Sequence, residues 1–270
     1  MTGQESAHAH SLHTEMVARR QYSKIQDPGH RRPIPLHWRT QRPFHAGATM
    51  NVKEQTILKV LVGSQAHGLA GPDSDADYRG VFVTPTEWLF RLDFKYKGSR
   101  WTEGQEDETY WEVGRFLSLA THGHPLVLET FLAPVVTADS WGRELLALFP
   151  SVWTPLTAYE AFVSYAFNQR KKFLEKKDAR PGKYALAHLR VLFNLCELLE
   201  TGTFTIRTAD TSLGETLRQV KADALTAGQI VDAGERLFQE ATQRLARCTH
   251  QPNLESVNAF LGRLRKAFLA

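Results

Sequence analysis

Only two cysteines occur in the 270 residues, Cys196 and Cys248. Both fall in apolar helical patterns, so the expectation is buried reduced thiols rather than a disulfide, in a cytoplasmic setting. No apolar run approaches the roughly 20 residues that a membrane helix needs. The N-terminal stretch lacks the compact apolar core of a secretory signal. No internal repeat is visible. The body of the chain also lacks an excess of either charge. Residues 1–49 hold seven basic side chains (Arg19, Arg20, Lys24, Arg31, Arg32, Arg39 and Arg42) against three acidic ones (Glu5, Glu15 and Asp27). That difference already equals the formal net charge of +4 for the whole chain, so the remainder is formally neutral despite a pI near 9.1. Global charge therefore argues neither for nor against a nucleic-acid partner. What is present is ordinary for a soluble globular protein: 42% hydrophobic and 23% charged residues, with a mean hydropathy of -0.35. The length suits one large domain or two small ones.

Residues 1–49 are rich in His, Arg, Gln and Pro and have little periodicity, which predicts a disordered leader. Six histidines fall here (His8, His10, His13, His30, His37 and His45), without the tight spacing of a metal site. Met50 opens a strand-like pattern and is a candidate natural start. Thr56–Val62 reads as a buried strand rich in β-branched residues. It breaks at Gly63-Ser64, and a loop or short helix follows through Gly71-Pro72. A second strand is expected over 75–84 and a short third over 106–111. The pattern then turns helical: Val113, Phe116, Leu117 and Ala120 follow helical spacing, and Pro125 suits a first turn. Further helices are expected near 140–149, 155–177 and 182–201, with Gly202 just past the last of these. Residues 203–207 alternate like a short strand. Helices over about 211–223, 226–247 and 254–268 complete the chain, with Thr226 and Asn253 as N-caps. The layout is α+β, a small sheet with flanking helices (50–135) followed by a helical C-terminal region (136–270).

The run from Gly63 to Gly80 carries the chemistry. A Gly-Ser turn after a buried strand lets backbone N–H groups approach an anion, and Ser64 adds a hydroxyl donor. Asp75 and Asp77 sit two apart on an expected strand, whose period of two puts both carboxylates on one face. Two such charges repel, and a divalent cation such as Mg²⁺ is the usual remedy. Asp73, Asp75 and Asp77 also mimic the start of a calcium loop. That reading fails at Tyr78, where the loop needs Gly, and at Thr84, where it needs Glu. A solvated acidic turn around Pro72 is the plain alternative.

Gly63-Ser64, ten intervening residues and then Asp75-x-Asp77 resembles the signature of nucleotidyltransferases of the DNA polymerase β superfamily. The fuller string resembles the predicted nucleotidyltransferases associated with RNA repair pathways. It matches that branch at Gly63, Ser64, Ala66, Gly68, Asp73, Ser74, Asp75, Asp77, Tyr78, Arg79, Gly80 and Val81. Arg115-Phe116-Leu117, Pro125…Glu129, Tyr165…Gln169, Lys183-Tyr184…His188…Arg190 and Glu197…Gly202 resemble later elements, in order. His124 stands where the branch has Asn, so an amide contact there is not carried over. The resemblance runs from about 57 to 207.

The resemblance implies a nucleotidyltransferase sheet and two-metal transfer of a nucleoside monophosphate from an NTP. Asp75 and Asp77 would share Mg²⁺ ions, with Mn²⁺ an alternative. A third carboxylate is needed on a neighbouring strand. Glu106, Asp107 and Glu108 are candidates, and register against Trp111…Phe116 favours Asp107. Gly63 and Ser64 would hold the β- and γ-phosphates. Arg79 would meet either phosphate or a carboxylate partner. Lys183 and Arg190, seven apart on one helix face, are candidates for the triphosphate. His188 reads as a hydrogen-bonded packing residue, and His67 as a lesser nucleotide contact. Trp101, Trp111 and Trp141 read as core. Arg170, Lys171, Lys172, Lys176 and Lys177 form a basic cluster, either a solvated helix end or an RNA-backbone contact. The implied partners are an NTP and RNA, with no membrane. An RNA 3′ hydroxyl is the favoured acceptor. A protein hydroxyl, or a non-catalytic nucleotide- or RNA-binding module, stand as alternatives.

Overall fold

The chain divides into two units, Met1–Ala48 and Thr49–Ala270. The computed structural model describes residues 50–72, 74–92, 94, 99–102 and 107–269, all within the second unit. The expected leader over 1–49, with Asp73 and Glu106, lies outside the described residues, as do the side chains of Trp101 and Asp107.

The first strand, β1 (Thr56–Val62), runs into a four-residue helix, α1 (Gly63–Ala66). There follow β2 (Asp77–Phe82), α2 (Thr86–Leu89), β3 (Ser99–Thr102), β4 (Asp107–Glu112), α3 (Val113–Thr121), α4 (Pro125–Leu132) and β5 (Val135–Ala138). The strands form one sheet in the order β3-β4-β2-β1-β5, in which β2 and β4 pair in parallel and the other neighbours antiparallel. Six more α-helices complete the described chain: α5 (Ser140–Ala147), α6 (Pro155–Leu174), α7 (Pro181–Thr201), α8 (Gly214–Lys221), α9 (Ala227–Leu245) and α10 (Leu254–Ala267). The fold is α+β, as the sequence pattern predicts.

One face of the sheet carries the core. Leu58, Val60 and Val62 of β1, Val81 of β2 and Trp111 of β4 pack with Phe116, Leu128, Phe162, Leu192 and Phe260 from the helices. Each fully buried side chain of this size contributes about 1.5–3 kcal/mol. Along β2 the same face continues as Arg79 and Asp77, opposite Val60 and Val62. Strand alternation thus places two polar side chains at the end of an apolar row.

Several expectations shift at their edges. β2 begins at Asp77, not at Asp75, because its partner β1 ends at Val62, the Cα partner of Asp77. Residues 203–207 are not a strand: the Thr205 N–H and hydroxyl are both taken up by the Glu197 carboxylate, while Phe204 and Ile206 point inward. Their alternation reflects burial without a partner strand. The edge strands β3 and β5 escape the sequence pattern because each has four residues. In β5, Val135 and Val136 are both largely exposed, so there is no alternation to read. The caps hold: Thr226 and Gln229 form a reciprocal capping box, Asn253 accepts from the Ser256 N–H, and Gly202 takes the left-handed conformation at φ +79°. Cys196 is buried with its thiol on the Leu237 carbonyl, and burial pushes its pKa up to about 12; Cys248 is half-buried, and both are free thiols. Trp111 lies in the core, and Trp141 packs partly buried against Phe260.

The last helix is tied to the sheet by charge. Glu112, fully buried, caps α3 by accepting from the Gly114 N–H and pairs at 2.6 Å with Arg265 of α10. Removing one partner of a buried pair strands the other charge. Arg265→Ala is therefore expected to cost about 3 kcal/mol in urea unfolding, and a loss below about 1 kcal/mol would mean that α10 is only loosely held.

Candidate functional site

The site forms where β1 gives way to α1. Gly63 has φ +69°, a conformation that favours glycine. A Cβ at Gly63 would lie 2.9 Å from Cγ of Asp77 and closer still to a carboxylate oxygen. The Asp77 carboxylate therefore rests directly against the Gly63 backbone. Ser64 is half-buried, and its hydroxyl has no side-chain hydrogen bond among the described residues. Asp75 is exposed in the run that leads into β2.

The loop after α1 is held at several points. The Leu69 N–H donates to the Ser64 carbonyl (2.9 Å), the Gly71 N–H to Ser74 Oγ (2.8 Å), and Gln65 Nε2 to the Ser74 carbonyl (3.2 Å). Lys221 of α8 donates from Nζ to the Leu69 carbonyl. Leu69 also packs with Ala185 and Leu189 of α7. The loop thus meets Asp77 at Gly63 on one side and is braced by the helical region on the other.

Asp107 is the Cα partner of Asp77 across the parallel β2–β4 ladder. Its neighbour Glu108 is engaged elsewhere. Glu108 is buried and accepts from Lys59 Nζ at 2.7 Å, with Lys53 at 3.6 Å. Burial pushes the Glu108 carboxyl up, but Lys59, with help from Lys53 and Tyr110, holds it below its ordinary value. Among the described residues no three Asp, Glu, His or Cys side chains converge as a metal-holding group.

Beside the loop lies a buried charge cluster centred on Glu129 of α4, whose side chain is 2% exposed. Arg79 Nη1 donates to Glu129 Oε2 at 2.6 Å and to the Leu126 carbonyl at 2.9 Å. Arg190 Nη1 of α7 donates to Glu129 Oε1 at 2.9 Å. His67 Nε2 lies 3.1 Å from the same oxygen, and its Nδ1 lies 3.1 Å from the Ile206 carbonyl. Burial would push the Glu129 carboxyl up; Arg190, then Arg79 and His67, override it and hold the pKa well below its ordinary value. Burial, and next Arg190, lower the His67 pKa, while Glu129 pulls the other way. Both ring nitrogens face acceptors, so a neutral His67 donates either from Nε2 to Glu129 or from Nδ1 to the Ile206 carbonyl, not to both. Two guanidinium ions against one carboxylate leave a positive charge in excess at the edge of the loop.

The remaining sequence candidates fall outside this cluster. Lys183 is exposed near the start of α7, seven residues from Arg190 and on the same face. His188 is buried with Nδ1 on the Ala166 carbonyl (3.0 Å), a packing residue as expected. Burial, then Arg79 and Arg115, lower the pKa of His124, whose Nδ1 has no hydrogen-bond partner among the described residues. Sequence reasoning missed the role of Glu129. Its signal was a lone carboxylate in the apolar run PLVLETFL, where an acid is rarely buried without a partner.

The Gly63-Ser64 turn thus closes the central strand β1, and the Asp77 carboxylate rests on it from the adjacent antiparallel strand β2. The chain belongs to the RNA repair pathway DNA polymerase beta family, whose model matches residues 39–257. It is 24% identical over 131 residues to the uncharacterized protein YcgL of Bacillus subtilis (strain 168), a match that covers 47% of this chain and 50% of that relative. The chain thus spans about half the length of the curated relative it matches. A crystal structure of a nucleotidyltransferase-like protein from Exiguobacterium sibiricum 255-15 is similar with a TM-score of 0.29 and 10% identity, over 79% of this chain and 74% of that one.

The contact between Gly63 and Asp77 makes a direct prediction. Gly63→Ala adds a methyl where the Asp77 carboxylate sits, at a φ that alanine resists. Displacement of a catalytic group by about 1 Å costs on the order of 100-fold in rate. Any nucleotidyl transfer should fall by about that factor, with Asp77 intact. A variant with wild-type kcat would show that the contact has no functional weight.

Proposed function

We propose that this protein transfers a nucleoside monophosphate from an NTP to an acceptor hydroxyl, and that the acceptor is an RNA 3′ end. In the reaction, the acceptor oxygen forms a bond to the α-phosphorus. The bond from that phosphorus to the bridging oxygen breaks, pyrophosphate leaves, and the acceptor proton is released. The observation that carries the reading is the Asp77 carboxylate lying against Gly63 at the end of β1, with Asp75 two residues ahead and the unengaged Ser64 hydroxyl beside it. Membership of an RNA repair family supports RNA as the acceptor.

The residues suit divalent cations. The donors are all carboxylate oxygens, which match hard cations such as Mg²⁺, with Mn²⁺ as the alternative. Asp75, Asp77 and Asp107 would hold them, and such ions supply charge neutralisation at the triphosphate and at the attacking oxygen. The chain's own groups do the rest. Gly63 keeps the strand end clear of a side chain, so that a phosphate can approach the backbone. Ser64 donates its hydroxyl to a phosphate oxygen. Arg79 and Arg190, held by Glu129, bias the loop edge positive, and Lys183 adds an exposed cation from α7.

The test is to incubate the protein with Mg²⁺, each labelled NTP in turn and total RNA, beside an Asp75→Asn/Asp77→Asn variant. Label entering RNA from wild type alone, with pyrophosphate released, is the expected result. Label entering protein instead would move the acceptor to a protein hydroxyl. Equal NTP binding without transfer by either protein would leave a nucleotide-binding module.

A further inference from the structure

The body of the chain is neutral overall, but the turn between α6 and α7 is not. Residues 170–183 carry seven basic side chains (Arg170, Lys171, Lys172, Lys176, Lys177, Arg180 and Lys183) against Glu175 and Asp178. The excess of five positive charges is therefore concentrated in fourteen residues. Most of it is unpaired. Arg170 and Lys171 make only long ion pairs, at 3.8 and 3.9 Å. Lys176, Lys177, Arg180 and Lys183 are exposed and make no ion pair among the described residues. Asp178, itself exposed, accepts from the Tyr184 hydroxyl (2.6 Å) and makes no ion pair with these cations among the described residues.

The start of α7 reinforces the charge. Its N-cap, Arg180, makes no capping hydrogen bond, so the first-turn N–H groups keep their positive end exposed. A Cβ at Gly182 would meet nothing within 4 Å, so that the backbone there is open to an approaching group. The turn also has a fixed place relative to the Gly63-Ser64 loop. Arg180 precedes Arg190 by ten residues, about 15 Å along a helix. Ala185 and Leu189, between them, pack against Leu69 at the end of that loop. A chain of phosphates spaced by a few ångströms can run from one to the other.

We propose that the α6–α7 turn is the docking surface for the phosphodiester backbone of the acceptor RNA strand. The inference rests on the RNA-acceptor reading above and adds to it where the strand lies. The chemistry favours a polyanion over other partners. The cations are of one sign, mostly flexible lysines, and suited to sequence-independent phosphate contacts. A membrane-surface helix would present a broad apolar face, whereas the only large apolar side chain exposed on this turn is Leu174, at 54%.

The experiment compares wild type with Lys176→Gln/Lys177→Gln/Arg180→Gln, which leaves Lys183 and the Asp pair untouched. Binding of a labelled mixed-sequence 12-nucleotide RNA is read by anisotropy across a salt series, beside binding of ATP with Mg²⁺. Single-strand contacts contribute about 0.7 each to the slope of log K against log salt. The variant is expected to bind RNA between roughly 10- and 100-fold more weakly near 0.1 M salt, with the slope reduced by about 2 and ATP binding unchanged. Lys176→Arg/Lys177→Arg should bind as wild type does. If the triple variant is unfolded by circular dichroism, Lys176→Gln/Lys177→Gln should show about two-thirds of the slope change. An unchanged slope in a folded variant overturns the surface and leaves the RNA acceptor standing. No RNA binding by wild type, with transfer of label to protein, overturns both. Wild-type binding to phosphatidylserine vesicles but not to RNA overturns the surface in favour of a membrane.

Discussion

Replacing Asp75 and Asp77 together by asparagine is expected to lower nucleotidyl transfer by on the order of 10⁴-fold, about 5.5 kcal/mol in the barrier. An amide keeps the shape of the carboxylate but not its charge, so on the function proposed above the variant would no longer attract a divalent cation to the Gly63 edge of the sheet. The loss should fall mainly on kcat, because the charge that must be stabilised develops as the bond to pyrophosphate breaks. The fold should survive. Asp75 is exposed and Asp77 only half-buried, so the shift in stability is expected within about 1 kcal/mol. Transfer of labelled nucleotide and release of pyrophosphate are the readouts, with Tm as the control. A folded variant that keeps its rate would remove the Asp pair from the mechanism.

The second large effect is structural. Glu129→Gln removes the only anion that Arg79 and Arg190 share within the described structure. Two buried guanidinium groups then face an amide that compensates neither. Breaking a buried pair in this way typically costs about 3–5 kcal/mol. The same carboxylate sets a pH dependence. Its folded-state pKa is held well below the ordinary value of 4.5, so the stabilisation is full above that pH and is lost as pH falls through the folded pKa. Wild-type Tm should therefore drop steeply below about pH 4.5, and Glu129→Gln should lack that component. Unfolding in urea at pH 7, together with Tm against pH, tests both parts. A loss under about 1 kcal/mol would mean that the cluster is hydrated and weakly coupled. A double-mutant cycle with Arg190→Gln then measures the pair directly, since each single change leaves a charge stranded that the double change removes.

The fold class and most of the helical frame were legible because they depend on local periodicity. Thr226 and Asn253 cap their helices through groups three residues away, and Gly202 ends α7 by its own conformational freedom. The Gly-Ser break and the Asp-x-Asp pair were legible as local features for a similar reason. Gly63, Ser64, Asp75 and Asp77 lie within fifteen residues, and the strand break between them is local. The short strands were not legible. Four residues carry too little alternation to read, and an edge strand such as β5 is defined by its partner rather than by its own pattern.

Arg79 illustrates the boundary between the two kinds of information. Alternation put it on the face of Asp77, and the structure agrees. What that face meets came from elsewhere: Glu129 arrives from α4 and Arg190 from α7, while the Ile206 carbonyl, from the segment after α7, meets His67. No spacing rule connects residues 50 or 139 positions apart. Glu108 was a candidate third carboxylate on composition, but strand alternation puts it on the face opposite Asp77, where Lys59 of β1 engages it. The sequence by itself determined the α+β layout, the helix ends and the identity of the Gly-Ser and Asp-x-Asp elements, because each is written in neighbours a few residues apart. Only the tertiary structure decided that Asp77 rests on Gly63, that Glu129 gathers two arginines and a histidine beside it, and that Lys176, Lys177, Arg180 and Lys183 are left facing water at the α6–α7 turn. Those outcomes depend on which distant side chains share a dielectric and a distance, which are set by packing.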